Sequence, residues 1–117
     1  MIQHLWETQQ KFQKHFFDAD NLSHDEKIKW SKEFILSAML ELSEVMDTLK
    51  WKTYHDYKKI YTIEDTKEEL VDVMKFIINI CIVNGISADE FMTAFNKKSQ
   101  TVNERYKEYQ EIQKKNG

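Results

Sequence analysis

Apolar residues return at helical spacing along most of the chain. Ile2, Leu5, Trp6, Phe12 and Phe16, with Gln9 in the same register, predict a first helix from about Ile2 to Phe17. The segment DADNLS breaks it, because Asp and Asn side chains compete for backbone hydrogen bonds and favour turns. Ser23 and Glu26 have the spacing of a capping box and start a second helix that is expected to reach about Lys50. Along it Ile35, Ala38, Met39, Leu42, Val45, Met46 and Leu49 form one apolar stripe at about 100° per residue. WKTYHDYKKIY follows, aromatic and basic without a clean period, and reads as a loop or broken helix. Thr62 and Asp65 supply the next N-cap, for a third helix from about Glu64 to Asn84 that Gly85 ends as a left-handed cap. Ser87 and Glu90 cap a fourth helix, from about Ala88 to Gln113.

Composition narrows the fold class. The 117 residues contain no proline and only two glycines, Gly85 and Gly117, which disfavours architectures rich in tight turns and leaves an all-α bundle. The length suits one domain, residues 1–113, with 114–117 as a frayed tail. A net charge of -3, with both signs mixed along the chain, offers no basic footprint for nucleic acid. The most apolar window, Val73 to Val83, is shorter than the ~20 residues of a membrane span, and the N-terminus lacks a signal pattern, so a cytoplasmic protein is expected. Cys81, alone and inside that window, reads as a buried, inert thiol. The four histidines show no spacing that suggests a metal or a dyad and read as surface.

Two acidic pairs raise a question of chemistry. Glu41 and Glu44 sit one turn apart beside the apolar stripe of the second helix, a geometry shared by cation ligands and by an ordinary solvated face. Glu69 and Asp72 are more telling. Between Leu70 and Val83 only Asp72, Lys75 and Asn79 are not apolar, so the third helix should be buried on most sides with one narrow polar line along it. A carboxylate carried inward needs a partner. Either Lys75 pairs with Asp72, or Glu41, Glu44, Glu69 and Asp72 converge on a divalent cation; an all-oxygen set favours Mg²⁺ or Mn²⁺.

ELSE at Glu41–Glu44 and ELVD at Glu69–Asp72 resemble the E-x-x-E and E-x-x-D metal signature of the all-α nucleoside triphosphate pyrophosphohydrolases, the superfamily of the dimeric dUTPases and the MazG-like enzymes. LWETQQKFQ, KWKTY, ELVDVMKFIIN and NGISADEFMTAFNKKSQTVNERY extend the resemblance to the dimeric dUTPases over most of the chain. Three positions depart from it: Lys75 stands where a histidine is expected, Gln13 where asparagine is more usual, and Val102 at the asparagine of the K-x-x-x-N-x-x-R pattern, with Asn103 adjacent.

The resemblance implies a four- to five-helix bundle, assembled as a homodimer or homotetramer, that hydrolyses dUTP to dUMP and pyrophosphate with Mg²⁺. It implies Glu41, Glu44, Glu69 and Asp72 as metal ligands, with Glu44 also the base that activates water. Gln9, Gln13, Lys75 and Asn79 would line the nucleotide site, and Lys52, Lys98 and Arg105 would balance the phosphates. Trp51 would stack on the base or pack in the core, and Tyr54, Tyr57 and Tyr61 would close over the ligand or line an interface. The departures keep a MazG-like preference for dCTP or a modified nucleotide open, as well as a non-catalytic helical interaction module.

Overall fold

The computed structural model describes residues 1–50 and 60–117. Trp51, Lys52, His55 and the tyrosines at 54 and 57 lie outside the described residues, and so does most of the expected loop. The elements are α1 (Ile2–Gln13), a single 3-10 turn (Ala19–Asn21), α2 (His24–Thr48), α3 (Ile63–Val83) and α4 (Ala88–Asn116). The described residues are all-α and contain no strand. None of these helices is by itself long and apolar enough to cross a membrane.

The expected starts of α2, α3 and α4 are all present as reciprocal capping boxes, Ser23 with Glu26, Thr62 with Asp65, and Ser87 with Glu90. Each satisfies two backbone N–H groups that the helix itself leaves unpaired. The backbone N–H of Ser23 bonds the Glu26 carboxylate, and together with the Ser23 hydroxyl holds its pKa below the usual value. Gly85 ends α3 at φ 71°, with Ile86 N–H bonded to Cys81 O and Gly85 N–H to Ile82 O, a Schellman motif. Lys50 takes the corresponding left-handed position after α2 at φ 50°, a role that its residue type does not announce.

Two boundaries differ from expectation. α1 ends at Gln13, because the Gln13 carbonyl accepts from both Phe16 and Phe17 N–H and tightens the chain into a turn. Phe17 then swings its ring against Trp30 and Phe34 of α2, at 4.6 and 6.3 Å between centroids. α4 continues to Asn116, beyond the expected end near Gln113.

The chain forms two compact units, Met1–Ile86 with α1 to α3, and Ser87–Gly117 with α4. In the first, α3 packs against both α2 and α1. Contacts of α2 with α3 run from Ser31–Asn84 through Phe34–Phe76 to Thr48–Thr66, so the two helices are antiparallel. α1 is antiparallel to α3 as well. Trp6 Nε1 donates to Ile86 O at 3.1 Å and Gln9 Nε2 to Asn79 Oδ1 at 2.8 Å. Trp6, Ile78 and Val83 are the largest fully buried side chains of this unit, each worth about 2–3 kcal/mol of apolar burial.

Burial corrects two sequence expectations. α3 is buried on most sides only in its last turns, Ile78 to Val83, whereas Leu70, Val71, Met74 and Ile77 are open. On α2 the side turned to α3 is Phe34, Ala38, Glu41, Val45 and Thr48, and of the expected stripe Ile35, Met39, Leu42, Met46 and Leu49 are exposed. Helical period located an apolar stripe correctly but could not say which neighbour, within the chain or outside it, would cover that stripe.

A carboxylate cluster on the α2–α3 face

The rotation of α2 that buries Val45 also turns Glu41 inward, because the two are one turn apart on the same side. Glu69 and Asp72 occupy adjacent turns of α3 opposite it. One carboxylate oxygen from each of Glu41, Glu69 and Asp72 lies within 4.8 Å of the others, and all three residues are half-buried. Glu44 is exposed one turn further along α2, and its carboxyl interacts with both Glu41 and Glu69. The four acids of the sequence pattern therefore share one place: three form a compact set and Glu44 stands at its edge.

Like charges at this spacing resist ionisation. The Glu69 carboxyl is pushed up to about 7, first by its hydrogen bond with Glu41, then by burial and by Glu44. In Glu41 the bond to Glu69 pulls the other way, but burial, the hydrogen bond with Glu44 and the charges of Glu44 and Asp72 outweigh it, and the pKa is raised. Glu69 Oε2 is buried without a hydrogen-bond partner. Such an acceptor is expensive unless something positive reaches it.

Lys75 does not reach it. It is exposed, and the one ion pair among the described residues is Lys67–Glu64 at 2.9 Å on the surface. The intrahelical pairing of Asp72 with Lys75, one of the two sequence alternatives, is therefore not formed. A divalent cation fits the donor set better. The oxygens are all carboxylate, and their spread is close to the ~4 Å across a single ion whose ligands lie at ~2.1 Å.

Of the expected nucleotide-site residues, Gln9, Gln13 and Asn79 come together where α1 crosses α3 and all three are buried. Gln9 donates to Asn79 Oδ1 at 2.8 Å and Gln13 Nε2 to Asn79 O at 3.4 Å, which leaves Gln13 Oε1 buried and unpartnered. Gln9 and Lys75 also share the wall of a mainly apolar cavity of about 280 Å³ between α1 and α3, with His4, Thr8 and Ile78. Lys98 and Arg105 are exposed on α4 in the second unit, at the i, i+7 spacing of one helix face, with Val102 between them. Trp51 and Lys52 lie outside the described residues. His4 and Thr8 carried no sequence signal as site residues, since nothing in their spacing relates them to Lys75. Cys81 is buried and its thiol pKa is raised by burial, as expected of an inert thiol.

An antiparallel helix pair whose clustered carboxylates could hold a metal ion resembles a known class, the helix bundles with carboxylate metal sites. The family model described as dUTPase matches residues 1–116, and the chain belongs to that family, dUTPase_2. No curated protein and no solved structure was found to match the chain. The family membership agrees with the resemblance carried by the ELSE and ELVD motifs, and it makes the chain a dUTPase-like nucleotide pyrophosphatase by kinship.

Proposed function

We propose that this protein hydrolyses dUTP to dUMP and pyrophosphate in a reaction that requires Mg²⁺, with Mn²⁺ as a substitute. The observation that carries the reading is the set Glu41, Glu69 and Asp72, with a buried and unpartnered Glu69 oxygen, in a chain of the dUTPase family. These three residues would hold the ion, with Glu44 at the edge of the set as a further ligand. Bound there, a divalent ion supplies positive charge to the triphosphate oxygens and acidity to a nearby water.

The protein's own groups do the rest. Glu44 is the exposed acid of the four and has room to take the proton of a water that attacks the α-phosphorus. As the new P–O bond forms, the bond to the pyrophosphate oxygen breaks and pyrophosphate leaves. Lys75, on the cavity wall beside Gln9, is assigned to the nucleotide, together with Gln9, Gln13 and Asn79. Lys52, Lys98 and Arg105 are assigned to the phosphates and Trp51 to the base, on the resemblance. The reaction is placed in the cytoplasm, in an assembly of two or four copies.

A second reading is another base preference, such as dCTP or a modified nucleotide. It is favoured by the amide nitrogens of Gln9 and Gln13, which donate to Asn79 and leave the unpartnered Gln13 oxygen, an acceptor, for a ligand. A nucleotide panel with pyrophosphate detection, with and without Mg²⁺, tests both. Preferential, metal-dependent turnover of dUTP is expected, and equal turnover of dUTP and dCTP removes the dUTPase label. Glu44→Gln should keep the fold and bind nucleotide yet lose hydrolysis, and wild-type turnover in that variant defeats its assignment as the base.

A further inference from the structure

We propose that Thr66 and Thr48 are positioning residues for the cation site, a hydroxyl link that holds α3 and α2 at the separation the carboxylates need. The assignment rests on the cation reading above, and the threonines act through Glu41 and Glu69 rather than on the ion. Their hydroxyls lie 2.9 Å apart across the helix pair, with Thr66 buried and Thr48 half-buried. A hydroxyl has one proton to give. That of Thr48 goes to Val45 O at 2.7 Å, so Thr66 donates and Thr48 accepts between the two. The chain of bonds therefore runs one way, from α3 through Thr48 to the backbone of α2 at Val45.

The link stands beside the groups that strain the helix pair. Thr48 follows Glu44 by four residues and Glu41 by seven, and Thr66 precedes Glu69 by three, so link and carboxylates share one side of each helix. Glu41, Glu69 and Asp72 gather within 4.8 Å, and ionised carboxylates at that spacing push α2 and α3 apart when no cation sits between them. Burial of Val45 opposes this, but apolar burial is non-directional and tolerates small rotations of α2. A hydrogen bond has a preferred distance and angle, so this one holds the rotation that keeps Glu41 turned to Glu69. A ligand set has to be held to within about 0.5 Å of its working geometry.

A second polar contact supplies the control. Toward the other end of the pair Asn84 Nδ2 donates to Ser31 Oγ at 2.8 Å. Ser31 is about 15 Å along α2 from Glu41, whereas Thr66 is only about 5 Å along α3 from Glu69. Loss of the far contact loosens the helix pair without touching the turns that carry the acids.

Calorimetric titration of Mn²⁺ into the full chain, with no nucleotide present, reads the site apart from turnover. Thr66→Val keeps the shape and removes the donor, and Mn²⁺ affinity should fall about 10-fold with helical circular dichroism unchanged. Thr66→Ser returns the hydroxyl and should return the affinity. Thr48→Val removes the acceptor from the other side, and the double variant should lose no more than either single one, as partners in one link do. Ser31→Ala should lower Tm and leave Mn²⁺ affinity intact. Equal affinity in wild type and Thr66→Val overturns the assignment and leaves the cation site standing. So does a loss that Thr66→Ser fails to restore, or one that Ser31→Ala matches. If Mn²⁺ does not bind the wild-type chain at all, the cation reading itself is removed and the positioning role falls with it.

Discussion

Glu41 of α2 and Glu69 of α3 face each other across the helix pair and share a hydrogen bond, so one of these two carboxyls holds a proton well above the usual carboxyl range. The Glu69 value, raised to about 7, reflects carboxyls crowded together and partly desolvated, a repulsion that the proposed cation would relieve.

Stability without metal should therefore fall as pH rises. Folded Glu69 binds its proton more tightly than the unfolded chain does, so from its ordinary value of 4.5 up to about 7 the native state holds the extra proton. That contribution is complete at the acid end of the window and lost at the alkaline end. Thermal unfolding in a chelator should show a higher Tm near the acid end than above the window, and Mg²⁺ should raise Tm more above it than below. A Tm independent of both pH and Mg²⁺ would contradict the cation site.

Glu69→Gln separates the charge from the shape. It removes one repelling carboxylate, so the metal-free protein should gain Tm above pH 7 relative to wild type. The Mg²⁺-dependent rise in Tm should shrink, and hydrolysis should drop at least about 100-fold. Unchanged turnover would show that Glu69 holds no part of the reacting assembly.

Asn79 is the polar junction between α1 and α3. Asn79→Ala removes the acceptor of the 2.8 Å bond from Gln9 and leaves a buried amide unpaired. A loss of about 1–3 kcal/mol in urea unfolding is expected. A loss under about 0.5 kcal/mol would mean that water replaces the side chain.

Gly85→Ala tests the turn that carries Ile86 to the Trp6 indole. A Cβ there meets nothing within 4 Å, so the cost comes from the left-handed φ of 71° alone. About 1 kcal/mol is expected, read as a lower Tm with nucleotide turnover unchanged.

Most of the local structure could be read in advance. Ser23/Glu26, Thr62/Asp65, Ser87/Glu90 and Gly85 are short-range signals, each settled by hydrogen bonds within a few residues. The turn after Gln13 was harder, since Phe16 and Phe17 continue the helical period and only the packing of Phe17 on Trp30 draws the chain away. Asp72 stood out in the sequence as a candidate because a carboxylate in an apolar run is costly, and Glu41 stood out only together with it; the structure brings the two close.

The sequence by itself determined the four helices, their caps and the four acids at i, i+3 spacing, because these depend on neighbours along the chain. Tertiary structure decided which faces meet: Glu41 inward and Glu44 at the edge, Lys75 away from Asp72, and Gln9 tied to Asn79. It also decided that the most apolar stripe of α2 stays open. A helical period defines the angle between side chains on one helix, and only packing against a second helix sets the rotation that turns one of those angles into the core.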